Sequence, residues 1–210
     1  MRARFLPFIA SLALLAGCTT VAPKDYTAFH RSNPRSILVL PPANNSTEVL
    51  ASYSLLTTMT RPLAELGFYV VPVAMVDAFL KENGMALPAE MHQAPLGKLH
   101  EVFGADAVLY VTVEQYGSKY QLFASNAIVY ANARLLDART GAQLWEGRVQ
   151  AVYSGQSGLI EALVTQVLNK LVDQAHQVAT MASYQLLTTP GQGLPKGPRH
   201  PEYGKEAPTK

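Results

Sequence analysis

The sequence is poor in the residues from which most catalytic and metal sites are built. It contains one cysteine and five histidines among 210 residues. One cysteine cannot form an intrachain disulfide, and the histidines share no ligand spacing with a carboxylate or with each other. The glycines at positions 84, 97 and 104 are scattered and form no phosphate-binding loop. We therefore predict no metal site, no cofactor and no enzymatic activity.

Charge and long apolar runs are also scarce. Charged residues make up 15% of the chain, and its formal net charge is +2. Both excess charges, Arg2 and Arg4, lie in an N-terminal leader, and the rest of the chain has 15 basic and 15 acidic residues. A net charge of zero gives no indication of a nucleic-acid partner. The most apolar later run, residues 106–113, is the length of a strand and too short to span a membrane.

The single cysteine stands directly after that leader. Arg2 and Arg4 precede an apolar run over residues 5–15, and the small residues Ala16 and Gly17 follow. Leu15-Ala16-Gly17-Cys18 matches the bacterial lipobox. We predict cleavage between Gly17 and Cys18 and attachment of a diacylglycerol to the Cys18 thiol, whose thiolate is the natural nucleophile for a thioether. The alternative is a buried core cysteine that happens to follow a signal peptide.

The residue after the cysteine is Thr19 rather than aspartate. In Gram-negative lipoproteins, aspartate at this position favours retention in the inner membrane. By that resemblance, Thr19 predicts a lipid anchor in the outer membrane, with the domain facing the periplasm. Two or three acyl chains would hold the protein firmly, because each buried methylene contributes roughly 0.8 kcal/mol.

Composition divides the chain into four segments. Residues 1–17 are the predicted lipoprotein signal peptide, and residues 18–34 are the lipidated cysteine followed by a polar, flexible tether. Residues 35–185 are the predicted periplasmic domain. Residues 186–210 are rich in proline and glycine, and we expect them to be a disordered tail because they have little apolar surface to bury.

The domain segment predicts the order β-α-β-α-α-β-β-β-α. Short apolar strands at 35–42, 68–73 and 105–117 alternate with segments of helical periodicity. A long helix is predicted from residue 158 to about residue 184. We therefore expect an α/β fold, a single-domain sandwich in which helices cover a mixed sheet with a C-terminal antiparallel hairpin.

The hairpin carries the candidate binding residues. Residues 129, 131, 133 and 135 are apolar, whereas the intervening Tyr130, Asn132 and Arg134 are polar or amphipathic. This alternation is typical of a sheet with one solvated face. Tyrosine and arginine are frequent at protein interfaces, so we predict that these three residues form a docking surface for a partner. In the competing interpretation, Tyr130 packs under the C-terminal helix as part of the core.

A hydrolase is the remaining alternative. "GQSGL" at residues 155–159 resembles a nucleophile elbow, but Leu159 stands where the second glycine belongs. A serine directly before a predicted helix is more typical of an N-cap, so we interpret Ser157 as a cap.

The lipobox, "SILVLPPANNST" at 36–47 and "LLDARTGAQLWEG" at 135–147 together resemble a family of Gram-negative lipoproteins of unknown function, which includes a neisserial surface-antigen candidate. Their periplasmic domain is similar to CsgG and LpoB and to the N-terminal domain of TolB. The resemblance implies that fold and a role in envelope assembly or secretion. It also implies protein partners in the envelope, such as CsgG-like lipoproteins or a second copy of the chain. A regulator of peptidoglycan synthesis, like LpoB, is the alternative.

Overall fold

Helices and strands occupy most of the chain that the computed structural model describes, namely residues 24–121, 124–155 and 164–205. The elements in chain order are α1 (Thr27–Ser32), β1 (Ser36–Val39), β2 (Ala43–Asn44), α2 (Ala51–Glu65), β3 (Tyr69–Val70), α3 (Val73–Glu82), α4 (Pro88–Met91), α5 (Leu96–Phe103), β4 (Ala107–Gln121), β5 (Ala124–Asp137), β6 (Gln143–Gly155) and α6 (Val164–Thr188). The predicted mixed α/β sandwich is confirmed, with three short elements, α1, β2 and α4, in addition to the predicted order.

One mixed sheet contains all six strands, in the order β3-β1-β4-β5-β6 with β2 paired to β4. β1 pairs in parallel with β3 and β4, as the intervening helices require. β4, β5 and β6 form an antiparallel meander of long strands. We call β3, β1 and the start of β4 the parallel half, and the β4-β5-β6 meander the antiparallel half.

Helices pack on both faces of the sheet but do not cover both faces equally. On one face, α2 and α6 bury apolar side chains from every long strand, including Leu109, Ala131 and Val149. On the other face, α3, α4 and α5 cover a smaller cluster that includes Leu38, Leu40 and Val108. This second cluster lies under the parallel half, so one face of the antiparallel half has no helix layer among the described residues.

The turn between β5 and β6 is fixed by the side chain of Asp137. Its Oδ1 accepts hydrogen bonds from the backbone N–H groups of Arg139 and Thr140, at 2.9 and 2.8 Å. Gly141 has a φ of +74°, a conformation that glycine adopts without strain. The "DARTG" segment therefore forms a turn for two reasons. The Asp137 carboxylate accepts hydrogen bonds from backbone N–H groups that have no backbone acceptor in the turn, and Gly141 permits the chain reversal.

The segment expected to be a flexible tether is packed on the domain from residue 24 onward. Residues 27–32 form helix α1, and the Phe29 side chain is 3% exposed. The Phe29 ring lies edge-on to Phe68, with centroids 6.2 Å apart. Ser32 donates a hydrogen bond of 2.5 Å to Asp137. The prediction of a flexible tether is thus wrong for residues 24–34. The segment is polar on average, but Tyr26 and Phe29 supply enough apolar surface to pack it on the domain.

The C-terminal segment also differs from the prediction. Helix α6 continues to Thr188, and residues 190–205, which we call the C-terminal strap, lie against the domain. Trp145 Nε1 donates to the Gln192 carbonyl at 2.9 Å, and the Tyr26 hydroxyl donates to the Gly193 carbonyl at 2.7 Å. Leu194 is 6% exposed, and the backbone N–H of Gly197 donates to the Leu66 carbonyl.

Glycine in the strap serves close packing rather than disorder. A Cβ on Gly193 would lie 2.4 Å from the Leu187 carbonyl oxygen, and one on Gly197 would lie 2.7 Å from the Phe68 ring. These approaches are possible only without a side chain. The prediction of a disordered tail over residues 186–210 is therefore wrong for residues 186–205. This segment ends helix α6 and then packs on the domain through specific contacts.

Within the described residues, no helix is both long enough and apolar enough to cross a membrane.

Candidate interaction surface

The three candidate residues lie together on the uncovered face of β5. Val129, Ala131 and Leu135 point to the opposite face and are fully buried there. Arg134 is exposed, and Tyr130 and Asn132 are partly exposed. The interpretation in which Tyr130 is core under the C-terminal helix is wrong, because the α6 contacts are made by the odd-numbered residues of β5.

Strand register brings further polar residues onto the same face. Arg134 pairs with Glu146 across the β5–β6 ladder, Asn132 pairs with Arg148, and Tyr130 pairs with Gln150. On the other side, Thr112 of β4 pairs with Asn132. We call this surface the open face, and its residues are Thr112, Glu114, Tyr130, Asn132, Arg134, Glu146, Arg148 and Gln150.

Glu114 is held in place by two side-chain amides. Asn132 Nδ2 donates to Glu114 Oε1 at 3.1 Å, and Asn45 Nδ2 donates to Glu114 Oε2 at 3.1 Å. Both carboxylate oxygens are therefore engaged, and Asn132 is fixed in orientation. Asn132 thus shapes the surface, whereas the guanidinium of Arg134 is exposed beside it.

His92 marks the boundary between the open face and the helix layer. Its ring lies edge-on to Tyr110, with centroids 5.3 Å apart, and its Nε2 donates to the Pro41 carbonyl at 2.9 Å. Burial lowers the pKa of His92, and the positive charge of Arg134 lowers it further, although the bond to Pro41 opposes both. Burial raises the pKa of Tyr110. Both side chains are therefore neutral at pH 7.

A groove of about 590 Å³ runs from the open face to the outer edge of β6. Its lining includes Tyr130, Arg134, Arg148, Lys24 and Gln192. The Lys24 ammonium lies 5.2 Å from the centroid of the Trp145 ring and donates to the Glu146 carbonyl. Partial burial lowers the pKa of Lys24, against the opposing effect of Glu146. The N-terminal segment is thus fixed at the β6 edge.

One serine–histidine contact was not predicted. Ser54 Oγ on α2 lies 3.1 Å from His176 Nδ1 on α6 and also contacts the Tyr116 hydroxyl. Ser54 and His176 are separated by 122 positions, so no local pattern in the sequence signals this contact. Ser54 is in mid-helix, and among the described contacts no carboxylate orients His176, so the pair lacks the third member that a nucleophilic triad needs. The described residues also contain no group of three or more side chains able to hold a metal ion.

The predicted lipid-attachment and cleavage residues, Gly17 and Cys18, lie outside the described residues, as does Ser157. Of the groove residues that the sequence did not single out, Glu146 and Arg148 carry a usable signal. Alternate residues of a strand point to the same face, and the turn at 137–141 fixes how β6 pairs with β5. Counting alternate residues back from the turn therefore places Glu146 and Arg148 on the open face. Lys24 and Gln192 carry no such signal, because their positions depend on tertiary packing.

Comparison with known proteins identifies the family. The family described as "Putative lipoprotein GNA1162-like" matches residues 24–199. The chain is 42% identical to the "Putative lipoprotein NMB1124/NMB1162" of Neisseria meningitidis serogroup B over 211 residues, covering 96% of this chain and 98% of that protein.

Two solved structures are similar to the domain. The crystal structure of lipoprotein GNA1162 from Neisseria meningitidis has a TM-score of 0.56 and 40% identity, covering 67% of this chain and 97% of that chain. The PelC dodecamer from Paraburkholderia phytofirmans has a TM-score of 0.51 and 14% identity, covering 83% of this chain and 96% of that one, which shows a shared fold. By the family match and the full-length relative, this chain belongs to the GNA1162-like lipoprotein family, which is not a known family of enzymes.

Proposed function

We propose that this lipoprotein is a non-enzymatic protein-interaction module of the outer membrane. Diacylglycerol on Cys18 anchors it, its domain faces the periplasm, and its open face binds protein partners during envelope assembly or secretion. The observation that carries this proposal is the uncovered face of the antiparallel half, where Tyr130, Asn132 and Arg134 lie together beside the groove.

The chemistry of the open face suits recognition of a protein. The partly exposed ring of Tyr130 offers apolar area with a polar tip. Arg134 and Arg148 offer planar, directional donors, and Glu146 offers an acceptor between them. The bonded Glu114 fixes Asn132 before any partner arrives, which reduces the entropy lost on binding.

A second copy of the chain is one candidate partner. PelC, which shares the fold, was solved as a dodecamer. Anchoring to a membrane confines copies to two dimensions and raises their effective concentration, so that a modest interface suffices. A CsgG-like lipoprotein in the same membrane would benefit from the same confinement.

The alternative role, an LpoB-like regulator that reaches inward to the cell wall, is disfavoured by the length of the linker. Residues 24–34 pack on the domain, so five residues, 19–23, lie between Cys18 and the first residue whose contacts are described. From Cys18 to Lys24 the chain can span at most about 22 Å. The linker is therefore short for a protein that must act at a distance from its membrane.

The anchor is tested by Cys18→Ser. We expect the wild-type precursor to incorporate a clickable palmitate analogue in growing cells and the variant to incorporate none, because the acceptor thiol is lost. The variant should also be mislocalised and absent from the outer-membrane fraction. Label on the Cys18→Ser protein would contradict the lipobox interpretation.

Partner binding is tested by photo-crosslinking in intact cells. A benzophenone amino acid at position 130 should give discrete higher-mass adducts on irradiation. The same group at Lys98, an exposed residue of α5 that does not line this groove, serves as the control. Equal adduct patterns from the two positions would refute the open face as a binding surface.

A further inference from the structure

The place where the N-terminal segment meets the domain is fixed by several contacts. Lys24 lies against the Trp145 ring and donates to the Glu146 carbonyl of β6. Two residues later, the Tyr26 hydroxyl donates to Gly193 of the C-terminal strap at 2.7 Å, and Tyr26 is 8% exposed. The chain therefore joins the domain at the β6 edge. Lys24 holds it to β6, and Tyr26 holds it to the C-terminal strap.

β6 is an outer strand of the sheet, and β3 is the outer strand on the opposite side. Four strand spacings separate them, a distance of about 19 Å. To stand on its β3 edge, the domain would need the span from Cys18 to Lys24 almost fully extended, because that span reaches at most about 22 Å. Standing on the β6 edge, where Lys24 lies, needs no such extension and costs less chain entropy.

We infer that the anchored domain stands with the β6 edge of its sheet against the phospholipid headgroups and with the β3 edge away from them. This inference rests on the proposed lipid anchor at Cys18. The basic side chains of Lys24, Arg134 and Arg148 lie toward the membrane side, and Glu146 is the acidic residue among them. A surplus of basic groups suits the anionic lipids of a bacterial bilayer.

This orientation specifies how a partner reaches the open face. A sheet that stands on its edge directs its faces sideways, parallel to the membrane. The open face and its groove then point toward neighbours in the same bilayer rather than toward the cell wall. The occupant that fits this geometry is a protein anchored in the same membrane.

The test uses full-length lipidated protein in vesicles of phosphatidylethanolamine and phosphatidylglycerol. Because the sequence has one cysteine and acylation blocks it, a cysteine introduced elsewhere is the only free thiol for a fluorophore. Gln150→Cys places the probe on β6, and Tyr69→Cys places it on β3, where the native side chain is 50% exposed. A nitroxide on the lipid headgroup quenches the probe at contact range.

We expect several-fold stronger quenching from position 150 than from position 69. Equal quenching, or stronger quenching from position 69, would overturn the orientation. Inserting a Gly/Ser linker of about twelve residues between Pro23 and Lys24 should reduce the difference, because the anchor would no longer restrain the edge. An unchanged difference would overturn the role of the short linker.

Mass spectrometry of the same preparation keeps the two proposals apart. Protein without diacylglycerol on Cys18 would refute the anchor itself. Acylated protein with equal quenching at both positions would refute the orientation alone. Circular dichroism melting of both cysteine variants verifies that each is folded before quenching is compared.

Discussion

The two halves of the sheet differ in how many of their faces are covered by helices. In the parallel half, helices cover both faces, and Ile37, Leu38 and Val39 are all completely buried along one short strand. In the antiparallel half, α6 and α2 cover one face, and the strand alternates between buried Ala131 and exposed Arg134. The first pattern is that of a structural core and the second that of a half-solvated sheet.

The difference shows where the molecule can vary its surface without losing its fold. A side chain on the second face of β1 is enclosed by α3, α4 and α5, so its size is fixed by packing. A side chain on the same face of β5 or β6 meets solvent, and its identity is open to selection for binding. We therefore place recognition on the antiparallel half and stability on the parallel half.

The largest effect is expected from a core truncation that breaks the parallel half. Leu38→Ala removes a fully buried side chain under the helix layer and should lower the free energy of unfolding by about 2–5 kcal/mol. Val152→Ala is the matched control on the same face of the antiparallel half, where the side chain is 51% exposed, and should cost less than about 0.5 kcal/mol. Urea unfolding measures both, and similar losses would contradict the contrast between the halves.

Removal of the C-terminal strap should have the next largest effect, since the strap contacts both halves. A chain that ends at Thr189 loses the buried Leu194 and leaves Trp145 Nε1 without its acceptor. We expect a loss of about 2 kcal/mol in the free energy of unfolding. A chain that ends at Lys205 keeps these contacts and should match the wild type. Equal stability of the two truncated chains would restore the interpretation of a disordered tail.

A smaller, pH-dependent effect is expected at the boundary between the halves. Burial and Arg134 hold the pKa of His92 below its usual 6.5, so the unfolded state binds more protons than the native state just below that pH. Stability from this residue is complete above pH 6.5 and decreases as the pH falls toward the lowered pKa. His92→Gln should therefore flatten the decline in melting temperature between pH 7 and 5. An identical pH profile for variant and wild type would show that His92 does not titrate in this way.

Much of the fold could be predicted because its signals are local. The period-2 pattern of residues 129–135 and the helical period of α6 each follow from a few neighbouring residues. Helix α1 was missed because six residues with one buried aromatic give too short a pattern. The strap was missed because proline and glycine are equally frequent in disordered tails and in segments where backbones approach closely.

The candidate site was predictable only in part, for the same physical reason. Tyr130, Asn132 and Arg134 are alternate residues of one strand and so point to the same face, which the sequence alone shows. Glu146 and Arg148 join them through the β5–β6 register, which the turn at 137–141 determines. Lys24 reaches the groove from 122 residues away, through contacts with Trp145 and Glu146 that no local pattern encodes.

The most direct test of the central claim is a charge reversal on the open face. Arg134→Glu should leave the melting temperature nearly unchanged, because the side chain is exposed, apart from a small repulsion with Glu146 across the strand pair. It should nevertheless abolish most of the crosslinked adducts formed from a benzophenone at position 130. Lys98→Glu makes the same change of charge on α5 and should leave those adducts intact. If Arg134→Glu unfolds the domain, or forms adducts as efficiently as the wild type, the open face is not the binding surface.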